Sequence, residues 1–166
     1  GGVWTYYSYD SLGRKLSATN QDEDGAEQST YNDDGTVFTT QTPEQRACHS
    51  NKRTGLGYDG LGRMTSIDNA GSPGQPHVVL DYDYDSVGNL LQVGHNINGT
   101  AAYATDYDYD ALNRMVAVAQ SGAVVAPHRV ALSYDAAGQM TDVLRFESLT
   151  ATTPAVSSSY VYDGAG

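Results

Sequence analysis

Cysteine is almost missing from this chain. Cys48 is the only one among 166 residues, so no internal disulfide can form and pairing says nothing about compartment. Basic residues are scarce as well: nine Lys and Arg stand against twenty Asp and Glu, a formal charge of −11. That balance argues against a nucleic-acid partner, because phosphate binding needs a basic face, and it disfavours an anionic membrane surface. No apolar run approaches the ~20 residues of a membrane helix, so no membrane insertion is expected. Phe and Trp number two and one, against thirteen Tyr. Amphipathic 3.6-residue periodicity is absent too, which predicts little or no helix.

What is abundant is a repeat. Tyr-Asp recurs as Tyr9-Asp10, Tyr58-Asp59, Tyr84-Asp85, Tyr109-Asp110, Tyr134-Asp135 and Tyr162-Asp163, with Tyr31-Asn32 as a variant. The spacings are 22, 27, 26, 25, 25 and 28 residues, in the range that marks a repeat architecture. Four residues after the Tyr comes Gly13, Gly35, Gly62, Gly88, Gly138 or Gly166, with Asn113 as the one departure. Arg14, Arg63 and Arg114 follow directly, replaced by Asn89 and Gln139 elsewhere. Three after the Tyr is usually apolar, as in Leu12, Leu61, Val87, Leu112 and Ala137. The unit reads Y-x-Y-D-x-Φ-G-R-Φ-x-x-Φ, with Φ apolar, in seven copies of about 25 residues, the last incomplete.

Each unit has a physical reading. Asp at the start of a four-residue turn accepts backbone N–H bonds, and Gly at its end tolerates positive φ; Asn113 is the one other residue type at that place that does so readily. Before the turn the chain alternates. Val78, Leu80, Tyr82 and Tyr84 share one face and His77, Val79, Asp81, Asp83 and Asp85 the other; Tyr103, Thr105, Tyr107 and Tyr109 repeat the Tyr stripe. The Tyr side is expected to be buried, since its rings pack while their hydroxyls reach a polar edge. A short apolar strand follows each turn, and a second turn is expected at Asp24-Gly25, Gly71 to Gly74, Asn98-Gly99 and Ser121-Gly122. Positions six and nine after the Tyr have opposite parity, so that strand either bulges or buries both faces. The expectation is an all-β repeat array of antiparallel β-hairpins, ~14 strands in one domain over residues 1–166. Residues 39–57 fit the repeat worst and read as a longer loop; the Thr/Ser-rich residues 149–159 read as an exposed linker.

Several stretches carry candidate chemistry, and each also has a plainer reading. The stretches DYDYDSVGN and DYDYDALNR carry Asp81, Asp83, Asp106 and Asp108 in a D-x-D-x-D pattern that opens an EF-hand loop. The twelfth positions are Gln92 and Ala117, where calcium needs a bidentate Glu, so a solvated acidic face is the preferred reading. Carboxylates committed to turns leave little for glycosidase-type acid–base work. Cys48-His49 pairs a thiol with a base, but sequence neighbours rarely point at one another and no third residue orients them. Asn98-Gly99-Thr100 is a glycosylation sequon that overlaps a turn. The three arginines are expected to stack on Tyr or to pair with a turn Asp of a neighbouring repeat. No catalytic residue, metal or cofactor is expected.

The unit resembles the YD repeat of the Rhs and teneurin superfamily, carried by YDSLGRKL, YDGLGRMTSI, YDSVGNLLQV and YDALNRMVAV across nearly the whole chain. In that family the repeats form a β-hairpin spiral that winds into a hollow shell. Bacterial members include polymorphic toxins and the cocoon subunit of insecticidal toxin complexes, where the shell encloses a toxic segment. The resemblance implies a structural role for the Tyr, Asp, Gly and Arg positions named above. It implies flanking YD repeats as partners and a secreted or cell-surface bacterial protein; open strand edges at both ends of a repeat sheet point to self-association as a further partner mode. Shell wall, extracellular fibre, and a carbohydrate-binding or carbohydrate-processing domain using exposed Tyr rows stand as alternatives. The opening without Met and the close inside a motif suit a piece of a longer protein.

Overall fold

The computed structural model describes residues 4–20, 26–41, 53–71 and 74–163. They form thirteen β-strands and no helix. These are β1 Thr5–Tyr9, β2 Lys15–Asn20, β3 Ala26–Tyr31, β4 Val37–Gln41, β5 Thr54–Tyr58, β6 Met64–Asp68, β7 Val78–Tyr84, β8 Leu90–Ile97, β9 Thr100–Tyr109, β10 Met115–Gly122, β11 His128–Tyr134, β12 Met140–Phe146 and β13 Val156–Ser159. The hydrogen-bonded order is the sequence order, a meander. The chain divides into two compact units, Gly1–Asp81 with Asn96–Thr100, and Tyr82–His95 with Ala101–Gly166.

In the first unit the hairpins β1–β2, β3–β4 and β5–β6 are each closed by a motif turn. Asp10 N–H donates to the Arg14 carbonyl at 2.9 Å and Gly13 N–H to the Asp10 carbonyl at 3.1 Å. Asn32 and Asp59 repeat the pattern with Thr36 and Arg63. This is a three-residue hairpin loop whose last residue sits at positive φ: 80° at Gly13, 91° at Gly35 and 76° at Gly62. In the second unit Gly88 at 100°, Asn113 at 60° and Gly138 at 85° hold the same place.

The parity misfit is resolved by a bulge. Tyr109 faces Met115, yet Asp108 faces Ala117, so Val116 has no partner. The same extra residue follows the turn opposite the steps Ser8 to Tyr9, Thr30 to Tyr31, Gly57 to Tyr58 and Ser133 to Tyr134. One extra residue flips the alternation, so Met115 and Val118 lie on the same face as Tyr109 and Tyr107. A single sequence irregularity thus lets both strands of each hairpin present apolar residues to one side.

Burial is shallower than the alternation suggests. Tyr82, Tyr84, Tyr107 and Tyr109 are half-buried, and no large side chain is fully buried among the described residues. The buried hydrophobics are Val93, Ala102 and Phe146. A meander whose strands contact mainly their neighbours covers each ring from the sides more than from above.

Three local expectations are corrected. Residues 39–57 are not one loop: Thr39 pairs with Gly55 and Thr40 with Thr54, because Thr-rich segments suit a pleated strand. Cys48 and His49, the Asp24-Gly25 turn and Gly166 lie outside the described residues. Residues 149–159 are not all linker, since β13 pairs with β12 and Ser159 Oγ donates to Asp142 at 2.8 Å. Gly122 ends β10 rather than turning. A Cβ there would collide with the Ala102 carbonyl and the Tyr103 backbone, and the turn follows, where Ala123 N–H donates to Ala102 at 2.8 Å. Asn98 and Gly99 do form a tight turn, at φ of 53° and 79°.

The turn assignment has a direct test. Gly62→Ala and Gly88→Ala place a side chain at positive φ and should each destabilise by more than ~1 kcal/mol. Gly60→Ala, in open space within the same turn and outside the positive-φ set, should cost less. Thermal melts of the three variants read the difference; equal, negligible shifts at all three would refute the turn geometry.

Candidate functional site

The repeat's polar residues converge at the turns. The Asp10 carboxylate accepts the backbone N–H of Leu12 and of Arg14 on Oδ1, both at 2.9 Å. Its Oδ2 accepts Arg14 Nε at 2.5 Å. Asp59 with Arg63 and Asp110 with Arg114 repeat all three bonds, the Nε contacts being 2.7 Å in each. Asp85 and Asp135 accept the same pair of backbone N–H groups. The Asp is therefore the buckle of its own turn. The arginine pairs with that Asp, not with one in a neighbouring repeat, because four residues around a three-residue loop bring the two side chains together.

The arginine reaches the next repeat by its other edge. The Arg14 guanidinium lies over the Tyr31 ring at 4.8 Å, and Nη1 donates to the Asn32 carbonyl at 3.3 Å. Arg114 does the same to Tyr134 at 4.8 Å and to the Asp135 carbonyl at 3.2 Å. The Tyr answers: Tyr31 Oη donates to the Lys15 carbonyl and Tyr134 Oη to the Met115 carbonyl at 2.8 Å. Tyr162 Oη donates to the Met140 carbonyl at 2.8 Å, one residue past Gln139, so the Tyr arm persists where Arg is absent. Where Asn89 replaces Arg, its Nδ2 bridges Asp85 Oδ2 at 2.8 Å and Asn113 Oδ1 at 2.9 Å. The turns that open at Asp10, Asp85, Asp110 and Asp135 are thus each stapled to the hairpin that follows.

The electrostatics follow from this geometry. The Arg backbone N–H and guanidinium, with the Leu N–H, hold Asp10, Asp59 and Asp110 below the usual carboxylate range, against a smaller rise from desolvation at each. At Asp85 desolvation pushes upward, but the Asn89 side chain and backbone N–H groups outweigh it. Thr36 lowers Asp34 through its hydroxyl and its N–H. Burial raises Tyr82 and Tyr109 and lowers His95, whose ring stacks on Tyr103 at 3.9 Å.

The DYDYD carboxylates behave differently. Asp81, Asp83 and Asp108 are exposed and Asp106 is half-buried. Asp81 accepts Asn96 Nδ2 at 2.8 Å and Asp106 accepts Gln92 Nε2 at 2.6 Å, partners the alternation did not reveal. Among the described residues no three His, Cys, Asp or Glu are grouped to hold a metal ion. Sequence reasoning also missed the His77–Asp68 contact at 2.7 Å and the packing of Arg129 over Phe146 at 4.0 Å. Both join residues on different strands with no repeat spacing to flag them.

The comparisons with known proteins agree with this geometry. The RHS Repeat family profile matches residues 84–125. Those residues are an RHS repeat. They span the Tyr84-Asp85 and Tyr109-Asp110 turns. No curated protein matches the chain. The solved structures it is similar to include "Crystal Structure of TcdB2-TccC3-Cdc42", at a TM-score of 0.74 and 14% identity. Another is "Crystal Structure of TcdB2-TccC3-TEV", at 0.73 and 17%. Each match covers 95% of this chain and 9% of the other, so the chain spans under a tenth of the chains it resembles. At that identity the likeness establishes the shared fold alone.

Two tests follow from the charges. Asp10, Asp34, Asp59, Asp85 and Asp110 are more acidic when folded than when unfolded, so the stability they add is present above about pH 4 and lost as pH falls through their lowered folded values. Neutral His95 adds stability above about pH 6.5 that is lost as pH falls below it. Melting temperature should dip slightly below pH 6.5, with His95→Phe removing that step, and fall steeply below pH 4; a curve flat to pH 3 would contradict the buckles. The second test concerns calcium. Asp83→Asn/Asp108→Asn should be neutral or slightly stabilising at low salt, the gain shrinking as salt screens like-charge repulsion. A large calcium-dependent stabilisation of the wild type that vanishes in the double variant would overturn the solvated-face reading.

Proposed function

We propose that the chain is a non-enzymatic structural module of a secreted or cell-surface bacterial YD-repeat protein, forming part of a β-shell wall. The observation that carries this is the staple. Asp, or Asn32 in one case, and the positive-φ residue close each described turn, and Arg14 with Tyr31 and Arg114 with Tyr134 fasten two of them to the next hairpin, which is the work of a scaffold. The likeness to solved structures over 95% of the chain supports the same reading. The partners on this reading are flanking YD repeats of the same or neighbouring chains, as in a shell that encloses a toxic segment.

A fibre is the second reading, favoured by β1. Trp4 just before β1 and Tyr6, Tyr7 and Tyr9 on it are 66%, 68%, 56% and 57% exposed, and this first strand of the described sheet carries neither charge nor proline, as strand addition favours. Electron microscopy of the full-length protein containing this chain distinguishes the two. A hollow particle with this segment in its wall is expected; filaments of stacked repeats, or a solid domain with an occupied cleft, would overturn the wall.

A further inference from the structure

In the second unit each motif turn carries an apolar or small residue at its tip, and the staple gives it no job. Val87 and Leu112, in consecutive hairpins of the second unit, are 69% and 71% exposed. Ala137 continues the row. An exposed turn tip ordinarily favours Asp, Asn, Ser or Gly, so an apolar row there marks a contact surface. The opposite edge of the same unit has its own exposed apolar residues, Val124 after β10 and Leu149 after β12, at 65% and 40%. Both rows advance one residue per hairpin, or two strand spacings, about 9.5 Å.

The charges on the two edges are complementary. The turn edge holds Asp85, Asp110 and Asp135 against the single cation Arg114. The loop edge holds Arg129 and the exposed Arg145 against Glu147. Among the described residues Arg129 Nε is buried without a hydrogen-bond partner, while Nη2 donates to the Ala151 carbonyl at 3.4 Å.

We propose that the turn edge is a lateral docking surface whose occupant is the loop edge of another layer of YD hairpins, supplied in solution by a second copy of this chain. Leu112 and Val87 pack against the Val124 and Leu149 row, and the Asp-rich turns face Arg129 and Arg145. The contact is side chain to side chain, unlike strand addition at β1. It rests on the wall reading, since layers laid edge to edge are what a wall requires.

Sedimentation equilibrium of the whole chain over a concentration series at low salt tests it. Reversible association is expected, weakening with salt because opposite charges meet. Val87→Ser/Leu112→Ser should weaken it about tenfold with an unchanged circular dichroism spectrum and melt, because both side chains lie in solvent in the monomer. Arg145→Glu should weaken it likewise. Monomer at every concentration up to ~1 mM, or association that survives either change intact, overturns the proposal; ~1 mM corresponds to about the weakest contact worth naming. Loss of association in Tyr7→Lys alone, with the tip variants unaffected, also overturns it. That outcome assigns self-association to the β1 edge and leaves the wall reading standing, whereas failure of the wall reading appears in imaging of the full-length protein.

Discussion

The fold depends on the bond network at the motif turn. Globular domains are held chiefly by apolar burial. Here that term is thin: among the described residues Val93, Ala102 and Phe146 are the buried hydrophobics. Register must be fixed some other way, because a slip of one residue would exchange the two faces of a strand. The Asp buckle fixes the hairpin, the bulge beyond it restores the face, and Arg and Tyr fasten β1–β2 to β3–β4 and β9–β10 to β11–β12. Each pair of stapled turns needs only its neighbours, so the array can be lengthened by adding units.

This division of labour explains the composition. Tyr outnumbers Phe because the hydroxyl has an acceptor one repeat away, at Lys15, Met115 or Met140. Asp is common because an ionised carboxylate can take two backbone N–H groups and a guanidinium together. The DYDYD carboxylates lie opposite the Tyr stripe, where Asn96 and Gln92 hold Asp81 and Asp106. A strongly acidic chain then needs no ligand to account for its charge.

Much of this was legible in sequence because the motif repeats. Seven copies fixed the period, the turns and the positive-φ positions, down to the Asn113 substitution, which adopts 60°. Parity alone flagged the bulge without deciding it, since a strand buried on both faces would show the same spacing. The direction of the arginine was not legible: pairing within a turn and pairing between turns use the same residues, and only three-dimensional closure separates them. Strands β5 and β13 were missed because Gly-rich or Ser-rich segments weaken the alternation on which strand assignment rests. The depth of burial was misjudged because alternation tells which side faces inward and nothing of how much covers it.

The central claim is that Arg and Tyr of successive repeats act together rather than side by side. A double-mutant cycle on Arg114→Met and Tyr134→Leu measures it directly by urea unfolding. A favourable coupling of about 0.5–1 kcal/mol is expected at this partly exposed site, on the scale of a guanidinium resting on an aromatic face. Costs that simply add would mean that the two side chains pack independently, and that the staple does not hold one repeat to the next.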